Sequence, residues 1–147
     1  MKLSTKGRYG TRALLELAIH QGEGPVSLKA ISQRQAISLQ YLEHLITPLV
    51  ASGIVKSIRG AKGGVMLARP SREISLSEII RALEGSTAPV DCVDGASKCS
   101  RSGSCATHDI WSGLKNAIDN VLDNTTLQDL VDKQKQKEQS EEVMYYI

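Results

Sequence analysis

The sequence lacks the signals that would place it in a membrane or export it. No apolar run among its 147 residues is long enough to span a bilayer, and its start has no charged segment leading into an apolar signal-peptide core. Unpaired cysteines without an export signal are typical of a reducing compartment. We therefore expect a cytoplasmic protein with no membrane partner.

Signatures of catalysis are also missing. The chain has no phosphate-binding loop, no dinucleotide-binding glycine motif and no Ser/His/Asp set, and its three histidines form no plausible catalytic group. We therefore expect a protein that is not an enzyme. There are no internal repeats, and the length fits one domain, or a small domain with an oligomerisation element.

Cysteine is scarce, and its distribution is the most informative feature of the chain. All three cysteines fall within fourteen residues and are followed by a histidine, in the polar stretch DCVDGASKCSRSGSCATHD. The candidate metal ligands are Cys92, Cys99, Cys105 and His108, spaced C-x6-C-x5-C-x2-H. An odd number of cysteines argues against a disulfide framework, and zinc sites usually contain a tight C-x2-C pair. The spacing favours an iron–sulfur cluster with one imidazole ligand, while zinc and unligated thiols stay open as alternatives.

Acidic residues are rare in the first half of the chain. Residues 1–70 contain ten Lys and Arg but only three Asp and Glu, whereas residues 71–147 contain eight and thirteen. A basic half beside an acidic half indicates that the first half meets a polyanion.

The N-terminal half predicts three helices followed by a β-hairpin. Apolar residues at helical spacing predict a first helix from about Ser4 to about Gln21, and Ser27 and Ser38 are placed to N-cap two more. Two β-prone runs, IVKSI and VMLAR, flank the segment RGAKGG, whose glycines and cations suit close approach to phosphates or a minor groove. An ordinary three-helix unit would not need such a hairpin. The expected fold class is mainly α, with a winged helix-turn-helix that binds double-stranded DNA.

The C-terminal half predicts a connecting helix, the cysteine loop and an interface helix. Ser75 and Glu78 form a capping-box pattern, as do Thr126 and Asp129. Between them, Trp111, Leu114, Ile118 and Val121 repeat at heptad-like spacing, which predicts a homodimer helix that also packs on its own domain. The expected divisions are a DNA-binding domain over 1–70, a connecting helix over 71–85, a cluster-binding loop over 86–107, dimerisation helices over 108–133 and a solvated tail over 134–147.

Four segments resemble the IscR family of bacterial iron–sulfur cluster regulators. They are MKLSTKGRYGTRALLELA, ISLQYLEHL, RGAKGG and CATHDIW. The resemblance covers residues 1 to about 133 and implies a dimeric winged-helix repressor carrying a [2Fe–2S] cluster on Cys92, Cys99, Cys105 and His108. The first Cys-to-Cys gap is one residue longer than is typical of the family, Ala61 replaces a proline and Val65 replaces a tyrosine. Nitric-oxide-sensing relatives use an N-terminal carboxylate as the fourth ligand, but the matching residue here is Arg8, which favours His108.

The same resemblance implies a set of DNA contacts and a set of target genes. Cations of the first helix and the wing would contact phosphates, and the start of the third helix would read bases. The proposed contact residues are Lys6, Arg12, Ser38, Gln40, Tyr41, Glu43, Arg59, Gly60, Lys62 and Gly63. In the family, the glutamate matching Glu43 lets the apo and holo forms choose different operators, and the regulated genes serve cluster biogenesis.

Other segments resemble CymR, a cluster-free repressor of cysteine metabolism. They are STKGRYG, GEGP, SIRGA, IIRALEG and the ending MYYI. CymR-type regulators bind cysteine synthase, which suggests that the C-terminal carboxylate of Ile147 enters that enzyme's active site while Tyr146 packs at its mouth. The competing expectation is that the apolar end folds back on the dimer helices. A zinc-stabilised regulator, a nitric-oxide or redox sensor and an iron–sulfur carrier are the remaining alternatives, the last of which does not explain the basic wing.

Overall fold

A computed structural model describes residues 2–95 and 99–146 of the chain. Those residues form six α-helices, two short 3-10 helices and one antiparallel hairpin. The α-helices are α1 Thr5–Ile19, α2 Leu28–Gln35, α3 Leu39–Ala51, α4 Leu76–Glu84, α5 Ala106–Asp123 and α6 Leu127–Tyr145. The strands are β1 Val55–Ile58 and β2 Gly64–Leu67, and the 3-10 helices are Ser71–Glu73 and Asp91–Val93.

The helices begin where the polar caps predict. The Ser38 hydroxyl accepts the backbone N–H of Tyr41 at 3.2 Å, and Ser27 caps α2 in the same way. Both predicted capping boxes, Ser75 with Glu78 and Thr126 with Asp129, are present. Each cap satisfies N–H groups that the first turn of a helix leaves unpaired. The start points of α2, α3, α4 and α6 are therefore local properties of the sequence.

Helix α1 is the centre of the core. It contacts α2, α3, α4, α6 and β2, and its apolar stripe faces the apolar side of α3. Residues with almost no solvent exposure in this core include Ala13, Leu14, Ile31, Leu42, Leu45, Leu49, Ile54, Ile74, Ile79 and Leu127. Pro48 lies inside α3, yet the helix continues to Ala51.

A buried carboxylate joins α1 to α2. Glu16 is 7% exposed and accepts hydrogen bonds from Arg34 Nη1 and Gln35 Nε2, each at 2.9 Å. A buried charge is tolerated only when it is paired and hydrogen-bonded, so this contact sets the spacing of the two helices.

The wing is a short hairpin that is anchored at its base. Val55 pairs with Leu67 and Ile58 with Gly64, while Val65 exchanges two 2.9 Å backbone hydrogen bonds with Val26. The inward-facing side chains of Val55, Val65 and Leu67 join the core, so the base of the hairpin is held while residues 59–63 project beyond the paired strands.

Helix α5 contributes no buried residue to the described chain. It contacts α4 and the Asp91–Val93 turn, but Ile110, Trp111 and Val121 are 66%, 38% and 64% exposed. The apolar seam expected from the sequence is therefore exposed at its two ends, Trp111 and Val121, on a single copy of the chain, while Leu114 and Ile118 are half-buried.

Helix α6 differs from the expected tail. Its first turns enter the core through Leu127 and Val131, and the helix then continues without a break to Tyr145. The segment contains neither Gly nor Pro and is rich in Gln, Lys and Glu, so nothing ends the helix near residue 133. Within a single copy the described residues show no fold-back, since Tyr145 and Tyr146 are 91% and 89% exposed; Ile147 lies outside the described residues. Among the described residues, no helix has the length and apolarity needed to cross a bilayer.

Candidate nucleic-acid interface and candidate metal centre

The start of α3 presents polar side chains on a well-anchored helix. Gln40 and Glu43 are exposed, Tyr41 is half-buried, and the opposite face is held in the core by Leu42 and Leu45. Ser38 is exposed, but its hydroxyl is used as the N-cap. This arrangement leaves donors and acceptors free to meet base edges while the backbone stays fixed.

An aromatic and cationic group, which we call the Tyr9 cluster, lies beside that helix start. The rings of Tyr9 and Tyr41 meet edge to face with centroids 6.1 Å apart. The guanidinium groups of Arg8 and Arg12 lie 5.7 and 5.4 Å from the Tyr9 centroid. Arg12 also donates to the backbone carbonyl of Gln35 at 2.6 Å. The sequence pattern pointed to Arg12 as a cation but not to Tyr9, because the pairing joins two different helices.

The wing tip carries the other predicted contact residues. Arg59, Gly60 and Lys62 are exposed, and Gly63 is half-buried. Gly60 has a φ of 110°, which favours glycine, and a Cβ on Gly63 would lie 2.1 Å from the carbonyl oxygen of Ile58. The two glycines are therefore required by the turn. On α1, Lys6 is exposed in the first turn of the helix.

The cysteine loop brings His108 against the 3-10 turn that contains Cys92. The His108 Nε2 atom lies 3.2 Å from the carbonyl oxygen of Cys92. A carbonyl can only accept, so Nε2 carries the proton and donates, and in the neutral ring Nδ1 holds the lone pair. Nδ1 is buried without a hydrogen-bond partner in the described structure, and its closest carboxylate oxygen, on Asp109, is 3.8 Å away.

Cys105 lies at the N-cap of α5, three residues before His108. Its Sγ atom is 3.1 Å from the Thr107 hydroxyl. Hydrogen bonds from the Thr107 side chain and from the backbone of His108 hold the pKa of the Cys105 thiol below its ordinary value of 9.0. Metals bind the thiolate form, so this environment favours ligation.

The described residues do not yet form a complete metal site. No three His, Cys, Asp or Glu side chains among residues 2–95 and 99–146 converge closely enough to hold a metal ion. All three cysteines are free and partly exposed, with Cys92 and Cys99 on either side of residues 96–98, which lie outside the described structure. The chemistry of the donor set nevertheless fits an iron–sulfur cluster, because a ligating histidine typically donates its other N–H to a carbonyl, as His108 does here.

A polar contact that the sequence analysis missed ties the loop to α5. The Thr87 hydroxyl donates to Asp119 Oδ1 at 2.5 Å, and Lys115 Nζ donates to Asp119 Oδ2 at 2.6 Å. The hydrogen bond from Lys115, followed by that from Thr87, lowers the pKa of the Asp119 carboxyl below its ordinary value of 3.8, although burial acts in the opposite direction. The i, i+4 spacing of Lys115 and Asp119 predicts their ion pair from the sequence, whereas nothing in the sequence predicts the contact of Thr87 with Asp119.

Comparison with known families identifies the chain's relatives. The sequence model of the Rrf2 family, described as iron-dependent transcriptional regulators, matches residues 3–133. The HTH-type transcriptional regulator CymR of Bacillus subtilis is 45% identical over 130 residues, which are 88% of this chain and 89% of CymR.

Two solved structures share the architecture. The structure of CymR, described as the global cysteine regulator of B. subtilis, superposes with a TM-score of 0.77 at 44% identity, covering 90% of this chain and 98% of CymR. The T. potens IscR structure gives a TM-score of 0.75 at 45% identity, covering 90% and 88%. The expected winged-helix fold is confirmed by these neighbours, and they include both groups to which the sequence is similar.

Proposed function

The chain belongs to the Rrf2 family of transcriptional regulators, and from this premise we propose that it is a homodimeric repressor whose operator binding is controlled by a [2Fe–2S] cluster. The genes it regulates are proposed to serve iron–sulfur cluster biogenesis. The observation that carries the cluster proposal is the buried, unpartnered Nδ1 of His108, whose ring is oriented by the carbonyl of Cys92.

The proposed DNA-contacting residues fall into two groups, those that read bases and those that contact the DNA backbone or a groove. Gln40 and Glu43 offer an amide and a carboxylate from the exposed start of α3, suited to adenine and to the amino group of cytosine. Ser38 and Tyr41 border the same turn. Lys6, Arg59 and Lys62 supply charge for phosphates or a narrow minor groove, and Gly60 and Gly63 let the wing backbone approach.

For the cofactor, Cys92, Cys99, Cys105 and His108 would be the ligands. When bound, a [2Fe–2S] cluster supplies a redox-active and chemically labile centre, which can report oxygen, iron supply or cluster demand. The protein's own contribution is to hold the loop. His108 joins α5 to the Cys92 turn, and Thr87 joins the loop's start to Asp119. Ligation by the three cysteines and His108 would add a further link between the loop and α5.

Two measurements on anaerobically purified protein test the cluster. Iron and sulfide should be present in equal amounts, and Cys92→Ala, Cys99→Ala or Cys105→Ala should remove both together with the visible colour. His108→Cys should retain them but lower the reduction potential, because a thiolate replaces a neutral imidazole. Stoichiometric zinc without sulfide would instead support a zinc-stabilised regulator.

The test of regulation is operator choice with and without the cluster. The holo protein, the apo protein and the Cys92→Ala variant should each be used to enrich duplexes from a randomised pool. Different enriched sequences for holo and apo protein, with Cys92→Ala matching apo, are expected. Identical sequences for all three would show a regulator that does not sense through a cluster.

A second candidate is a CymR-like regulator of cysteine metabolism that senses through a protein partner. The similarity to CymR is as high as that to IscR, and the apolar end of α6 is exposed. Its proposed partner is cysteine synthase, bound through the C-terminal residues. Titration of that enzyme with the full chain and with a chain ending at Tyr146 tests this, since only the full chain should bind. A third candidate signal is nitric oxide or a redox change. Treatment of the holo protein with nitric oxide or with an oxidant should then change its absorption spectrum.

A further inference from the structure

The Tyr9 cluster connects the first helix to both halves of the helix-turn-helix. Arg12 Nη2 donates to the Gln35 carbonyl at 2.6 Å, and Arg12 Nε lies 3.3 Å from Gln35 Oε1. Gln35 is the last residue of α2, where helix carbonyls lack intrahelical partners and favour a cation. Two of the five N–H donors of Arg12 are therefore directed at Gln35.

The α2–α3 turn that follows is held as a unit. The backbone N–H of Ile37 donates to the carbonyl of Ser32 at 3.1 Å, and the Ser32 hydroxyl donates to the carbonyl of Ile37 at 2.6 Å. Ala36 closes α2 in the left-handed region, with a φ of 53°. A contact that holds α2 therefore also fixes the orientation of α3, and a contact that holds α3 fixes that of α2.

Tyr9 completes the connection on the α3 side. Its ring meets the ring of Tyr41 at an interplanar angle of 87°, a favourable edge-to-face geometry, and the backbone N–H of Tyr41 is held by the Ser38 cap. The Tyr9 ring is also flanked by the guanidinium groups of Arg8 and Arg12. One side chain of α1 thus contacts the first turn of α3 while its neighbour, one helical turn on, holds the end of α2.

We propose that Tyr9 and Arg12 are positioning residues that clamp the helix-turn-helix to α1 and so set how Gln40 and Glu43 are presented to DNA. Arg12 on this view acts through Gln35 and is not a phosphate contact, which revises the role expected from the sequence. The inference rests on the proposed DNA-binding function. Loss of the clamp lowers the fraction of molecules with a correctly presented α3, so the affinity for the matched duplex falls. Molecules with a misoriented α3 bind without reading the base pair at Gln40, so discrimination between duplexes falls as well.

The salt dependence of DNA binding separates the two roles of Arg12. A cation that contacts phosphate contributes about 0.9 to the slope of log affinity against log salt, whereas a positioning residue contributes nothing to it. Two probes are used. The first is a duplex that the wild-type protein enriches from a randomised pool, and the second is the same duplex changed at the base pair where Gln40→Ala loses its preference. Arg12→Ala and Arg12→Lys should both weaken binding by roughly three- to tenfold and reduce discrimination between the duplexes, with the slope unchanged.

Arg12→Lys is the decisive variant because lysine keeps the charge but not the planar fork. Wild-type affinity for Arg12→Lys, or a slope lowered by about 0.9 in Arg12→Ala, would overturn the clamp and make Arg12 a phosphate contact. Tyr9→Phe keeps the ring contacts and should bind like wild type, while Tyr9→Leu should lose discrimination. Equal discrimination by the two Tyr9 variants would also overturn it.

Amide hydrogen exchange in the free protein tests the clamp without DNA. Tyr9→Leu and Arg12→Lys should speed exchange at Tyr41 and Leu42, and Tyr9→Phe should not. If the wild-type protein enriches no duplex, the proposed function fails, yet the exchange rates still decide whether the clamp exists. Unchanged exchange in Tyr9→Leu would reject it.

Discussion

Asp119 carries a charge that the fold uses to attach the cysteine loop to α5. Its carboxylate accepts from Lys115 at 2.6 Å and from the hydroxyl of Thr87 at 2.5 Å. Because its pKa is lowered below 3.8 on folding, the native state favours the ionised carboxylate. That contribution to stability is complete above pH 3.8 and is lost as the pH falls through the lower folded-state pKa.

The corresponding variant is Asp119→Asn, which keeps the size of the side chain and removes its charge. At neutral pH we expect its free energy of unfolding to be lower than that of the wild type by roughly 0.5–1 kcal/mol. The difference should shrink as the pH falls through the folded-state pKa, which lies below 3.8, because the wild-type carboxylate is then protonated too. Urea unfolding across this range measures it, and a difference that stays constant with pH would show that the charge is not responsible.

Helices α1 and α4 pack closely because two glycines of α1 face side chains of α4. A Cβ on Gly10 would lie 2.3 Å from Leu83 Cδ1, and one on Gly7 would lie 2.5 Å from Glu84 Oε1. Glu84 in turn accepts the backbone N–H of Ser4 at 2.7 Å, at the N-cap of α1. The connecting helix is thereby fitted closely to the helix that carries the Tyr9 cluster.

Gly10→Ala should therefore destabilise the protein even though alanine is the better helix former. Overpacking costs about 1–3 kcal/mol, which exceeds the gain in helix propensity of up to about 1 kcal/mol. Gly113→Ala on the exposed face of α5 is the matched control, since a Cβ there meets nothing within 4 Å. Chemical denaturation should show a loss for the first variant and a gain for the second; a gain for both would contradict the close packing.

The chain as a single copy leaves an apolar surface uncovered along α5. Ile110, Trp111 and Val121 are exposed, and Ile118 and Leu122 line a cavity of about 340 Å³ between α5, α4, the residues before α1 and the loop after α4. Surface of this kind is normally buried in an assembly. The proposed homodimer would cover it with the same helix of a second copy, because a two-fold interface is self-complementary.

Val121→Glu should weaken that dimer. An unpaired charge placed in an apolar interface costs on the order of 2–3 kcal/mol per site, and the two-fold axis introduces it twice, so the dimer Kd should rise by about a thousandfold or more. Val50→Glu, which changes an exposed apolar residue of α3, is the control and should remain dimeric. Sedimentation velocity distinguishes the two, and a Val121→Glu variant that stays dimeric at low concentration would place the interface elsewhere.

Features that depend only on neighbours along the chain can be predicted from the order of the residues. Serines and threonines at Ser27, Ser38, Ser75 and Thr126 begin helices because their caps act within three residues, and the 3.6-residue period selects the core faces of α1 and α3. The glycine-rich wing tip follows from the same local chemistry. The length of α6 is equally local, because residues 134–145 contain nothing that ends a helix; the high charge of this segment indicates exposure to solvent, not the absence of a helix.

Contacts between side chains that are distant in sequence depend on how the helices and the hairpin pack. The pairing of Glu16 with Arg34, of Tyr9 with Tyr41 and of Thr87 with Asp119 joins separate elements, and no spacing in the chain encodes such contacts. The ligand types at Cys92, Cys99, Cys105 and His108 could be predicted from the sequence, whereas the free Nδ1 of His108 depends on how α5 packs against the Cys92 turn. Helix caps and ligand types depend on residues that are adjacent in sequence, but the orientation of a ligand or of α3 results from packing between elements.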